Sequence, residues 1–199
     1  MLKRSRRLAA LCLGAVLSLQ ATLAAADPLE DTRNLYFTTL SQTIGEILAN
    51  PKFLAILAAQ SKQSEDWTEA DILALDKRWR DGDKSLIDPI LANPLSKRMA
   101  ELVATSNGLI SEIIVMDQKG CNVAVSSQTT DYWQGDEAKW QKTFGAKTDA
   151  VHVARVDFDQ STRSFSQQFS RALTIEGRQI GAITLGFDIR YHPPAKPPG

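Results

Sequence analysis

The hydrophobic pattern of this chain changes once, at Asn107-Gly108, and that change restricts the fold to one broad class. Before it, apolar residues recur at the spacing of an α-helix; beyond it they mostly alternate, as strands do. Helices first and strands afterwards give an α+β plan, with long N-terminal helices packed on one antiparallel sheet.

The helical part reads as separate pieces. Leu35, Leu40, Ile44, Ile47 and Leu48 mark a long first helix, which Asn50-Pro51 ends or kinks into a short sequel carrying Phe53, Leu54, Ile56 and Leu57. Thr68 is a capping hydroxyl ahead of Glu69 and Asp71, and Ile72, Leu73, Leu75 and Trp79 follow on one side of a third helix. Arg80-Asp81-Gly82-Asp83 is a turn. Its alternating acids look like part of a calcium loop, but Ser85 and Ile87 stand where further ligands should cluster, so it reads as a solvated loop. Pro89 and Asn93-Pro94 suggest a broken approach to a helix through Thr105, with Met99, Leu102 and Val103 inward and Asn107-Gly108 as its left-handed stop.

The strand part opens with a hairpin. Ile113 to Met116 forms one arm, Asp117-Gln118-Lys119-Gly120 the turn, and Cys121 to Ser126 the other arm. An aromatic and acidic connection follows, from Thr130 to Glu137, and then a short helical pattern through Trp140. Val151 to Asp159, Phe165 to Ile175 and Ile180 to Ile189 alternate as three more strands, the last two joined by Glu176-Gly177-Arg178. Five strands in a meander-like order are expected.

Composition narrows the function. Lys3, Arg4, Arg6 and Arg7, the apolar run Leu8 to Leu19 and Ala24-Ala25-Ala26 read as a secretory signal over residues 1–26, and the apolar run is shorter than the roughly 20 residues of a membrane span. The folded domain is expected over 27–190 and a Pro-rich tail over 191–199. Losing four of 23 basic and none of 23 acidic side chains leaves 19 against 23, a net charge near −4, which argues against nucleic acid as a partner. Cys121 is the only one of two cysteines beyond the signal, so no intramolecular disulfide is expected; the thiol is either a small buried hydrophobe or a link to another chain.

Two stretches carry a family resemblance. Glu112-Ile-Ile-Val-Met-Asp117, with Gly120, Val123, Ala124 and Ser126, resembles the first hairpin of Cache domains, the PAS-like extracytoplasmic sensor modules of bacterial chemoreceptors and histidine kinases. Ala172 to Asp188, with Gly177, Gly181 and Gly186, is similar to the last hairpin of the same family, and the likeness runs from about Asp27 to Arg190. It implies a leading helix along one face of the sheet and a small-molecule pocket on the other, beneath Thr129 to Phe144. It also implies a periplasmic location, a membrane receptor or kinase as partner, and a homodimer paired through the first helix. Family members usually sit between two membrane spans and drive an output domain, and neither a second span nor an output domain is read in these residues.

The residues favour binding over catalysis. Only His152 and His192 are present, and no Ser/His/Asp set, metal-spaced cluster or phosphate loop appears, so neither enzyme activity nor a cofactor or metal is expected. Tyr132, Trp133 and Trp140 either wall a pocket or cap the sheet's core. Arg155 and Arg171 interrupt apolar strand faces, so each either pairs with Asp131, Asp157 or Asp188 or holds a ligand carboxylate. Ser126 and Asp131 flank the expected pocket mouth. The sequence therefore points to a sensor that captures a small molecule. The competing reading is a periplasmic adaptor that docks on a receptor ectodomain without a metabolite and has a sealed, self-satisfied pocket.

Overall fold

The computed structural model describes residues 28–159 and 164–191. The expected signal and nearly all of the Pro-rich tail, His192 included, lie outside these residues.

Polar caps separate the helices. α1, Pro28–Ala49, gives way at Asn50 to α2, Pro51–Gln63; the Asn50 Oδ1 accepts from the Lys52 N–H at 3.0 Å. α3, Glu69–Arg80, starts in a capping box in which Thr68 and Asp71 each accept the other's N–H. α4, Lys84–Ala92, is capped by Asp83, and α5, Pro94–Thr105, by Asn93. Where the sequence suggests a broken approach, α4 is thus a helix that contains Pro89. The ring removes only one N–H, and Ile87 is buried while Leu86, Ile90 and Leu91 pack half-buried beside it. No helix among the described residues is long and apolar enough to cross a membrane.

Asn107 and Gly108 take positive φ angles of 53° and 85° and turn the chain into the sheet. Its strands are β1 (Ile110–Met116), β2 (Asn122–Val125), β3 (His152–Val153), β4 (Asp157–Asp159), β5 (Ser164–Ile175) and β6 (Arg178–Asp188). All pairings are antiparallel in the order β2-β1-β6-β5-β3, with β4 also on β5. The sheet therefore has five positions, the last divided between β3 and β4. A single strand over Val151–Asp159 was expected, but it breaks after β3, where the Ala154 carbonyl accepts from Gln167 Nε2 at 3.0 Å.

The meander-like order does not hold. β1 pairs with the last strand, β6, placing Ile113 opposite Leu185 and Val115 opposite Ile183. The run Ile113 to Met116 is apolar on both faces, so it needs a neighbour at each edge and cover on each side. Gly181 allows the close approach, because a Cβ there would collide with the Met116 carbonyl.

Each face of the sheet has its own core. On one, α1, α2 and α5 place Leu40, Ile47, Leu57 and Met99 against Ile113, Val115, Phe169 and Leu185, and Tyr36 stacks on Phe187 at 4.3 Å. On the other, Ile114, Met116 and Ala182 meet Ile72, Trp79, Ile87 and Tyr132. Asp76 secures this second core: its buried Oδ1 accepts from the backbone N–H of Tyr132 at 2.9 Å and of Trp133 at 3.1 Å, while Oδ2 pairs with Arg80 at 3.0 Å. Asp76→Ala leaves those two N–H groups without an acceptor. It should cost about 2–4 kcal/mol, seen as a lower urea midpoint at unchanged slope.

Candidate functional site

A cavity of about 810 Å³ lies beside the second core, where β5, residues 154–158, the turn at 130–131 and the short helix α6 (Ala138–Gln141) converge. It is lined by both charge signs: Asp131, Glu137 and Asp157 against Lys139 and Arg155, with Gln168 on the sheet.

Lys139 is the unusual member, because its side chain is only 9% exposed. Its Nζ lies 3.1 Å from Glu137 Oε2 and donates to Gln134 Oε1 at 3.0 Å. A cation so far out of water favours a nearby anion. Arg155 is exposed and, among the described residues, makes no hydrogen bond or ion pair. Its guanidinium fork is therefore open to a planar acid.

Gln168 is oriented from behind. Its Nε2 donates to Oε1 of the buried Glu112 at 2.7 Å, and the amide's carbonyl remains for the cavity it lines. The two residues meet across β6 at Gly186, where a Cβ would come within 2.7 Å of Glu112 Cγ.

The cavity wall at 129–131 is pinned by its own carbonyls. The Asp131 oxygen accepts from Thr129 Oγ1, Gln134 Nε2 and Asn122 Nδ2 at 2.7, 2.8 and 2.9 Å, and the Thr129 oxygen accepts from Trp79 Nε1 at 2.8 Å.

The structure brings together two of the residues picked out by sequence, Asp131 and Arg155. Tyr132 is buried behind the wall beside Trp79, and its hydroxyl accepts from Gln60 Nε2 at 3.0 Å. Trp133 and Trp140 donate their indole N–H to the Lys119 and Asp117 carbonyls of the β1–β2 turn, at 2.9 and 3.2 Å. Ser126 Oγ accepts from the Ile113 N–H at 2.9 Å. Arg171 donates to the Asp149 carbonyl at 2.9 Å and shares a strand face with Phe169 and Leu173 of the first core. Asp188 pairs instead with Arg190 at 2.6 Å, which holds its carboxyl below the ordinary value. His152 is half-buried on β3, and burial lowers its pKa.

Sequence reasoning missed Lys139, Gln168 and Glu112. A readable signal existed for Glu112, a lone acid leading into the apolar run of β1. Lys139 and Gln168 look like ordinary polar positions until α6 and β5 turn them toward one cavity.

Behind the wall lies a second polar group, at the β1–β2 turn. Asp117 is fully buried; its Oδ1 accepts from the Lys119 and Cys121 N–H groups at 2.8 and 2.9 Å, and Oδ2 from Ser64 Oγ at 2.7 Å. Burial pushes the Asp117 carboxyl above its ordinary value despite these bonds, and raises the Cys121 thiol and Tyr132 phenol as well. Cys121 is thus a buried, neutral thiol.

Neither a family model nor a curated protein matches the chain. The chain is similar to solved structures of sensory domains. The Campylobacter jejuni chemoreceptor Tlp3 sensory domain with isoleucine bound is 15% identical, with 82% of this chain and 64% of that one covered and a TM-score of 0.37. The ligand-binding domain of the same receptor in complex with L-valine is 15% identical over 82% and 65%, with a TM-score of 0.37. The V. cholerae histidine kinase DctB sensor domain is 10% identical over 81% and 57%, with a TM-score of 0.38. The chain thus spans less than two thirds of the length of each. Its α+β architecture follows from the strand order and helix packing described above.

The raised Asp117 carboxyl makes stability depend on pH. Between the ordinary aspartate value of 3.8 and the raised one, the folded protein keeps a proton that the unfolded chain has lost, so this contribution falls as pH rises. The stability gap between wild type and Asp117→Asn should shift against the wild type from about pH 4 to pH 7. Urea midpoints of both proteins at the two pH values check this; a constant gap, or one moving toward the wild type, contradicts it.

Proposed function

We propose that this chain is a small-molecule sensor domain of the Cache type, exported to the periplasm, that captures a metabolite and passes its occupancy to a membrane receptor or kinase. The observation that carries this reading is the cavity lined by both charge signs, to which buried Lys139 and Arg155, without a partner among the described residues, both contribute. The pair suits a carboxylate, held by charge-assisted bonds and a guanidinium fork. Asp131, Asp157 and the Gln168 carbonyl suit an amine or hydroxyl on the same molecule, and Val156 and Phe158 offer its body apolar contact. A compact zwitterion or hydroxy acid meets all of these conditions. The cavity's volume falls within the range of about 300–1,000 Å³ common for such ligands.

Tyr132, Trp133 and Trp140 support the site from behind, each spending its polar atom on the protein itself. The resemblance of the two hairpins to Cache domains supports the sensor role, and a homodimer through α1 is part of the same reading.

The test is a thermal-shift screen of the protein against amino acids, organic acids, amines, purines and sugars. A ligand at about a hundred times its dissociation constant adds about 2.7 kcal/mol and moves the midpoint by several degrees. Arg155→Ala should weaken the hit by about 10- to 100-fold, whereas Arg171→Ala, on the far face, should leave it unchanged. No hit on folded protein, or a hit indifferent to Arg155→Ala, overturns this site and favours the adaptor reading.

A further inference from the structure

We infer that the groove between α2, α3 and α4 is a second binding site, for a small apolar molecule that carries one hydrogen-bond donor. It does not depend on the function proposed above.

The groove encloses about 520 Å³. Ile56, Trp67, Leu75, Leu86 and Ile90 line it, and all five are half-buried rather than sealed in the second core. Apolar side chains from three helices thus converge on one cleft of ligand size.

Of its polar lining residues, Arg78 and Ser85 bond each other, Asn93 bonds Val123 and Ser96, and Gln63 is exposed, whereas the amide of half-buried Gln60 is turned by Tyr132 behind it. The Tyr132 hydroxyl accepts from Gln60 Nε2 at 3.0 Å. The amide nitrogen therefore points inward, and the carbonyl oxygen is left on the groove side. Among the described residues no donor reaches that oxygen. A bound molecule needs an apolar body for the walls and one N–H or O–H for this acceptor.

The site is separate from the first cavity. The wall between them is one extended stretch, with Thr130 and Asp131 lining the first cavity and Tyr132 the groove.

Indole and indene make the probe pair: they share a shape, and only indole has the N–H. Saturation-transfer NMR titrations on the full chain should show saturable binding of both, with indole about tenfold tighter, the ratio one net hydrogen bond yields. Gln60→Met should remove the preference without abolishing binding. Ala59→Trp fills the groove from an exposed position of α2 and should abolish both; Val156→Trp, an exposed position of the first cavity, should affect neither. Circular dichroism of each variant establishes that it is folded. The proposal fails if neither probe saturates, if wild type binds both equally, or if Val156→Trp removes binding and Ala59→Trp does not.

Discussion

A strand that is apolar on both sides cannot lie at the surface, and β1 is such a strand. Ile113 and Val115 look toward α1, α2 and α5, and Ile114 and Met116 toward α3, α4 and the aromatic connection. Everything else is arranged to cover it: β2 and β6 at its edges, helices on one face, and a mixed layer of helix and loop on the other. At about 25 cal/mol per Å² of apolar surface removed from water, burial on two faces outweighs any single polar contact described here.

The second layer is less regular, and three buried carboxylates hold it together. Asp76 anchors the backbone of the connection, Asp117 ties the β1–β2 turn to the end of α2, and Glu112 reaches across β6 to β5. Each joins residues more than 50 positions apart in the chain. An acidic side chain in such a place is stable only when its oxygens are satisfied, which constrains the neighbouring backbone. That is how an irregular connection becomes a firm cavity wall.

Much of this architecture was legible in the residues. Helical spacing before Asn107, the break at Asn50-Pro51, capping by Thr68, and two-residue alternation in β5 and β6 are local signals, and each produced the expected element. What could not be read was partnership across distance. Nothing local says that β1 joins β6, so a meander was the simplest order. The candidate cavity was hidden for the same reason: Lys139 and Gln168 are ordinary polar residues until β5 and α6 are brought face to face. Tyr132, Trp133 and Trp140 stood out in the sequence because large aromatics do, yet their N–H and O–H groups were already committed to Lys119, Asp117 and Gln60.

The centre of the sheet is also the end of the described chain. Ile113 can find Leu185 only after β6 has been synthesised, so the helices emerge first with their apolar faces uncovered and wait for the last strand. Such long-range closure makes folding slow and late, because loop entropy is lost before the contacts that repay it exist. A chain truncated before Arg178 loses not an edge but the strand that both cores share, and it should behave as a collection of marginal helices rather than a smaller version of the domain.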